Sequence, residues 1–368
     1  MKVLRSICIF LTGAVFIFSG TVKGIDPLGS AYKFHDYFQA FSLGSLQFLT
    51  LPLAIILCLV EFLTGFTIIT GLRRKEGSFA ALVLMIIFTP LTLVLALKNP
   101  VSDCGCFGDA IHLSNWATFG KNVVLLCMVL IVFRARSLND FKLSSAVQWI
   151  ITGSAALIFI AFELYNLMFL PVIDFLPYSV GTYIPGKMTI PEGAPVNRYE
   201  TTFIYEKNGI KKEFTLKDYP ASDSSWKFVE QKTRLTEKGY IPPIHDFSIT
   251  AGGEHNITDS ILGCPDPIVL MISKKLAEAG NEKLGSGFKQ GMKLTSAGIG
   301  FLVLTASGSD EIQSRKNGLK FCSVDETTLK TMIRSNPGYM LIRKGKIEGK
   351  WSWADVPEDL VQRIRKMN

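Results

Sequence analysis

Cys104 and Cys106 face each other across one glycine in the run Asp103-Cys104-Gly105-Cys106-Phe107-Gly108-Asp109. Two thiols so spaced can close a small disulfide ring, and Gly105 supplies the backbone freedom that closure needs. Strained, exposed disulfides are the labile or catalytic kind. The thiolate is the reacting species, so Asp103 and Asp109 are expected to raise a thiol pKa and oppose activation. The bland alternative is a fixed structural turn. A metal site built from Cys104, Cys106, His112 and an aspartate matches no standard zinc spacing, and no metal is expected.

Glu61 and Glu163 lie inside apolar runs. A carboxylate at that depth is costly and is a functional hypothesis by default, with a helix-packing hydrogen bond as the alternative. The chain has seven cysteines, an odd number that leaves at least one without an intramolecular partner. Cys8, Cys58 and Cys127 fall in apolar runs and read as packing residues. Cys264, between Gly263 and Pro265, reads as exposed and is a candidate reactive thiol. Cys322 reads as a buried structural residue, and whether it pairs with Cys264 is not legible.

The elements that must position these residues divide the 368-residue chain in two. Mean hydropathy is +0.30, and charge is scarce in the first half. Residues 1–174 carry 9 acidic and 12 basic side chains, against 22 and 27 in the remainder. The net charge of +8 therefore splits as +3 and +5, which is no nucleic-acid footprint, and basic runs such as Lys211-Lys212 read as solvated faces.

A spanning helix needs about 20 mostly apolar residues, because lipid cannot satisfy backbone polar groups. Five segments qualify: 6–24, 48–71, 79–97, 116–134 and 147–170. With the N-terminus inside, Lys2, Arg5, Arg73, Arg74, Lys75, Arg134, Arg136 and Lys142 collect on the cytoplasmic side. Only Lys23, Lys33, Lys98 and Lys121 fall opposite, as the positive-inside rule requires. The reading is a multi-pass protein of a bacterial inner membrane, embedded in the lipid bilayer. Its C-terminal half and its Cys-Gly-Cys pair face the periplasm, where disulfides persist.

Residues 171–195 are punctuated by prolines and glycines and read as a connector. Residues 200–217 read as a β-hairpin around Asn208-Gly209, followed by a helical or irregular stretch to about Lys238. From Tyr240, strands at 269–272, 299–305 and 320–324 alternate with helices at 276–290, from 309, and at 326–334. A hairpin, 339–343 with 346–351, then closes an α/β layer fold. The expected domains are 1–174, a 175–238 connector with hairpin, and 239–368.

The run Arg334-Ser335-Asn336-Pro337-Gly338-Tyr339, leading into a strand that ends at Lys344-Gly345, resembles the end of a thioredoxin domain. Pro337 matches the cis-proline, which the resemblance implies lines a client groove. The entry Pro242-Pro243-Ile244-His245-Asp246-Phe247 resembles that of peroxiredoxin-like and thiol-reductase-like members. Where those proteins carry Cys-x-x-Cys, this chain has Ser273-Lys274-Lys275-Leu276, so their dithiol chemistry does not carry over.

Phe18-Ser19-Gly20-Thr21-Val22-Lys23-Gly24-Ile25-Asp26-Pro27, with Glu61, Gly65 and Gly71 further on, resembles the signature of DoxX-like membrane proteins. The Cys-Gly-Cys-Phe-Gly motif resembles that of MauE, a relative implicated in forming disulfides during methylamine dehydrogenase maturation. The full length resembles DoxX-like proteins of Bacteroidota that append a thioredoxin-like domain.

Three functions follow as expectations. One is a membrane thiol–disulfide oxidoreductase that uses Cys104 and Cys106 on a periplasmic protein client and passes electrons to a membrane acceptor such as a quinone. Another is a non-catalytic scaffold whose outer domain binds a protein partner. The last is a carrier of a small hydrophobic molecule with Glu61 in its pocket.

Overall fold

The computed structural model describes all residues except 1, 102, 103, 137–142, 197, 217, 219, 221, 222, 224, 238, 316, 317 and 368. Asp103 and Lys142, invoked above, lie outside the described residues. Two compact units result: residues 1–181 with 248–368, and residues 182–247.

The membrane half begins with α1 (Lys2–Ile25), α2 (Pro27–Ala40) and a 3₁₀ turn (Gly44–Leu49). It continues with α3 (Thr50–Thr70), α4 (Arg74–Lys98), α5 (Asn115–Arg134) and α6 (Ser145–Met168). All but α2 are long and apolar enough to cross a bilayer, within a few residues of the expected spans. The short helix α2 was not expected, although Asp26-Pro27 is a helix-start signal. Asp26 accepts from the Gly29 N–H at 2.8 Å, and the proline occupies the first turn, where its missing donor costs nothing.

Small residues let α1 and α3 approach closely, as helices in lipid do. A Cβ on Gly20 would lie 2.5 Å from Phe62 N, and one on Gly65 would lie 2.5 Å from Gly13 O. The start of α1, the α3–α4 turn and the end of α5 share one end of the bundle, where Arg5, Arg74 and Ala135 line a common cavity. Arg73 Nη1 donates to Ser145 Oγ at 3.1 Å there, adding the start of α6. The opposite end holds α2 and the loop between α4 and α5.

The second unit contains α7 (Ile184–Met188) and three strands, β1 (Arg198–Lys207), β2 (Ile210–Thr215) and β3 (Lys227–Glu237), ordered β2-β1-β3. Asn208 and Gly209 take φ of 52° and 78°, as the expected hairpin turn requires. The segment expected to be helical or irregular is instead β3, antiparallel to β1. Its charges obscured the pattern: a strand exposed on most positions needs no apolar alternation, and pairing to β1 supplies its order.

The remainder of the first unit comprises β4 (Thr250–Ala251), β5 (His255–Asn256), α8 (Thr258–Gly263), β6 (Ile268–Ser273) and α9 (Asn281–Ser296). Then follow β7 (Gly300–Thr305), α10 (Ser309–Ser314), β8 (Lys320–Ser323), α11 (Glu326–Met332), β9 (Gly338–Arg343), β10 (Lys346–Ser352) and α12 (Leu360–Met367). The helix expected over 276–290 starts later because Gly280, at φ 78°, separates α9 from a 3₁₀ turn at Leu276–Glu278.

The sheet order is β10-β9-β6-β7-β8-β4-β5, with β6, β7 and β8 parallel and β9 antiparallel to β6. The central strand β6 is buried throughout, which is why Ile268–Ser273 reads as an unbroken apolar run. The chain is therefore a helical membrane bundle joined to an α/β domain.

Candidate functional site

The site is built on the close crossing of α1 and α3. Ser19 and Lys23 are one helical turn apart on α1 and so share a face. That face meets Glu61 of α3. Lys23 Nζ lies 2.7 Å from Glu61 Oε1 and 2.8 Å from Oε2, and Ser19 Oγ lies 2.7 Å from Oε2. Lys23 and Glu61 are 6% and 3% exposed, so each charge is matched out of reach of water.

The Cys-Gly-Cys loop lies directly above this pair. Ser19 Oγ is also 2.8 Å from the Cys106 carbonyl oxygen, and the Tyr37 hydroxyl of α2 donates to the Cys104 carbonyl at 2.6 Å. Gly105 takes φ of 66°, with the stem of Lys33 laid against it. The Phe107 ring packs edge-on to Phe18 at 5.4 Å, with Lys121 Nζ 4.5 Å from its centroid.

The two free thiols touch, Sγ to Sγ, at 3.3 Å. Sharing that proton separates them. Cys106 is held below the ordinary thiol value by the hydrogen bond from Cys104, against the opposing effect of burial, with the Lys121 and Lys23 ammoniums adding. Cys104 is held above it by the same bond and by burial.

Asp109, expected to oppose thiol activation, is itself paired. Its carboxylate accepts from Arg334 Nη2 at 2.6 Å. A cavity of about 110 Å³ is lined by Cys104, Cys106, Lys23, Glu61, Lys33 and Lys121, with mostly apolar side chains of α1 to α5 completing its wall.

The α/β domain reaches the same region with three cations. Arg334 Nε meets Asp26 at 2.7 Å while Nη2 meets Asp109; Lys274 Nζ donates to Tyr32 OH at 2.6 Å; Lys350 Nζ meets Asp174 at 2.6 Å. Burial, with Arg334 adding repulsion, pushes Lys274 down to about 7, and burial pushes Tyr32 up to about 12. Asn336–Pro337 is a cis peptide, and Pro337 is buried.

Of the residues singled out from sequence, Cys104, Cys106 and Glu61 converge on one cavity. Glu163 does not line it; it is fully buried beside Gly24. Cys264 is half-buried rather than exposed, and its carbonyl accepts from Lys344 N–H at 2.9 Å. Cys322 is 2% exposed, and both thiols are free. Among the described residues no group of three His, Cys, Asp or Glu side chains could hold a metal.

None of Ser19, Tyr37, Arg334 and Lys274 was assigned a role from sequence; Ser19, Lys23, Lys274 and Arg334 entered only within the runs that carry the family resemblances, and Lys23 also as a loop charge. The four-residue spacing of Ser19 and Lys23, facing a helix with a lone glutamate, was the available signal. No such signal existed for Arg334.

No curated protein and no solved structure matches the chain. Residues 199–238 match a family described as a domain of unknown function (DUF8463). Ser19, Lys23, Glu61, Cys104 and Cys106 all fall within residues 1–135, and that segment matches the family model of methylamine utilisation protein MauE.

Proposed function

We propose that the protein is a membrane thiol–disulfide oxidoreductase in which Cys104 and Cys106 are the redox pair. The carrying observation is the sulfur contact of 3.3 Å in a loop anchored, through Ser19, to a buried Lys23–Glu61 pair. In the oxidising direction, a client thiolate attacks Cys104 of the closed disulfide and Cys106 leaves, since the sulfur with the lower pKa is the better leaving group. The second client thiolate then attacks the mixed disulfide and releases Cys104. Client and pair have exchanged two electrons and two protons. Reoxidation passes both electrons and both protons to a lipid-dissolved acceptor of the quinone class, which leaves as the quinol.

The lysine and arginine distribution supports a cytoplasmic N-terminus and a periplasmic Cys pair in an inner membrane. The β6–β7–β8 parallel core and the closing antiparallel β9–β10 hairpin support a thioredoxin-like reading of the C-terminal domain.

The test is thiol trapping in intact cells with a membrane-impermeant maleimide, before and after mild reductant. Labelling of both cysteines only after gentle reduction supports an exposed, labile disulfide. Labelling without reductant, or resistance to reduction, removes the redox role.

A second reading, a non-catalytic scaffold that holds a protein partner, draws support from Ser273-Lys274-Lys275-Leu276, where no cysteine follows β6. It requires Cys104→Ser and Cys106→Ser variants to keep full function in the cell. The carrier reading draws on the cavity, and requires loss on Glu61→Gln but not on Cys106→Ser.

A further inference from the structure

The loop that carries the thiols is held at four points. Tyr37 holds the Cys104 carbonyl, Ser19 the Cys106 carbonyl, and Phe18 with Lys121 the Phe107 ring. Those three anchors belong to the membrane half. The fourth is Arg334, 225 positions along the chain from Asp109, which it meets at 2.6 Å.

Arg334 does more than reach the loop. Its Nε meets Asp26, the N-cap of α2, and α2 is the helix that carries Tyr37. One planar guanidinium thus ties the loop to the helix that holds the loop's other end, a geometry a fork of donors suits and a point charge does not. The side chain is 5% exposed, and a Cβ on Gly29 would fall 2.4 Å from Asp26 Oδ2 and 3.1 Å from Arg334 Nη2. Behind it the backbone is pinned: Ser335 Oγ donates to the Pro337 carbonyl at 2.6 Å and accepts from Trp353 N–H at 3.3 Å. The arginine is presented from a braced loop, with Lys274 gripping Tyr32 on the same helix α2.

We propose that Arg334 is a positioning residue of the Cys104–Cys106 pair, through which the C-terminal domain keeps the two sulfurs within bonding reach. The proposal rests on the redox reading above. Ring closure responds to the effective concentration of one thiol at the other, and that falls when the loop gains freedom. Against glutathione, the pair gives up two electrons and two protons as one glutathione disulfide becomes two glutathione thiols, so the equilibrium constant reads this effective concentration directly.

The experiment equilibrates the full-length chain, in nanodiscs, with glutathione buffers, then acid-quenches, alkylates and quantifies the peptide containing both cysteines by mass. Arg334→Ala is expected to lower the constant for closure by about tenfold, and Arg334→Lys, which keeps a charge but not the fork, by less. Asp109→Asn breaks the same bridge while leaving Arg334 paired with Asp26, so it is readable even if Arg334→Ala does not fold. It should shift the constant similarly, and the double variant should add little. Closure at the wild-type constant in Arg334→Ala or Asp109→Asn overturns the inference alone, as do fully additive shifts in the double variant. A wild-type pair that never closes overturns the redox reading and this inference with it.

Discussion

One hydroxyl, that of Ser19, stands 2.8 Å from the Cys106 carbonyl oxygen and 2.7 Å from Glu61 Oε2. It has a single proton for two acceptors, so the polarity of the thiol loop and that of the buried ion pair are joined through one group. The charge state of Lys23 and Glu61 is therefore felt at the loop, and the loop's position is felt at the pair.

Cys106 should alkylate faster than Cys104 at neutral pH. The thiolate reacts, and the thiol of Cys104 donates to Cys106 with Lys121 and Lys23 nearby, which populates the Cys106 thiolate at lower pH. Its rate should rise with pH through a midpoint below about 8.5, the ordinary thiol value, and then level off. Peptide-resolved iodoacetamide rates between pH 5 and 9 measure this, and a midpoint at or above the ordinary value would refute it.

Breaking the Lys23–Glu61 pair on one side should cost more than removing it whole. Lys23→Met or Glu61→Leu leaves an uncompensated buried charge, a loss of about 3–5 kcal/mol, whereas the double variant removes both desolvation penalties and recovers most of it. Thermal unfolding in detergent reports the ranking. Additive losses in the double variant would show that the two side chains do not act as a pair.

Lys274 should make stability depend on pH in a definite direction. Its folded pKa, about 7, lies below the unfolded value near 10.4. Between those values the unfolded chain holds a proton that the folded chain lacks, so stability rises with pH across that window and the penalty is complete below it. Burial is the main cause; Arg334 and Lys330 add repulsion, and Asp26 and Glu278 offset it. The melting temperature of Lys274→Met should lose this slope between pH 7 and 9, and parallel curves for the two proteins would contradict it.

Two glycines in membrane helices should respond oppositely to alanine. At Gly20 a methyl group would meet Phe62 N at 2.5 Å, and forcing α1 from α3 should cost about 1–3 kcal/mol. At Gly120 of α5 nothing lies within 4 Å, so the same change should be neutral or stabilising by roughly 0.4–1 kcal/mol. Equal unfolding temperatures for the two variants would mean the crossing does not depend on Gly20.

Much of the architecture was legible locally. Lipid imposes a length and a composition on every spanning segment, so five apolar runs of about 20 residues declared themselves, and the Asn208-Gly209 turn and the apolar run at β6 did likewise. The Cys-Gly-Cys spacing and the lone glutamate of α3 were visible as chemistry without an address. Exposed β3 was missed because solvent accepts any side chain, and short α2 because it spans nothing.

What the amino-acid sequence determined, then, was each feature that depends on a residue and its near neighbours: the spans, the turns and the closely spaced thiols. What only the tertiary structure decided was which charges meet. Lys23 finds Glu61 across 38 positions, and Arg334 finds Asp26 and Asp109 across 308 and 225. Ion pairs carry no periodicity along a chain; partner choice is set by the packing of α1 on α3 and the docking of the α/β domain, which bring unlike charges together where burial forbids either to stand alone.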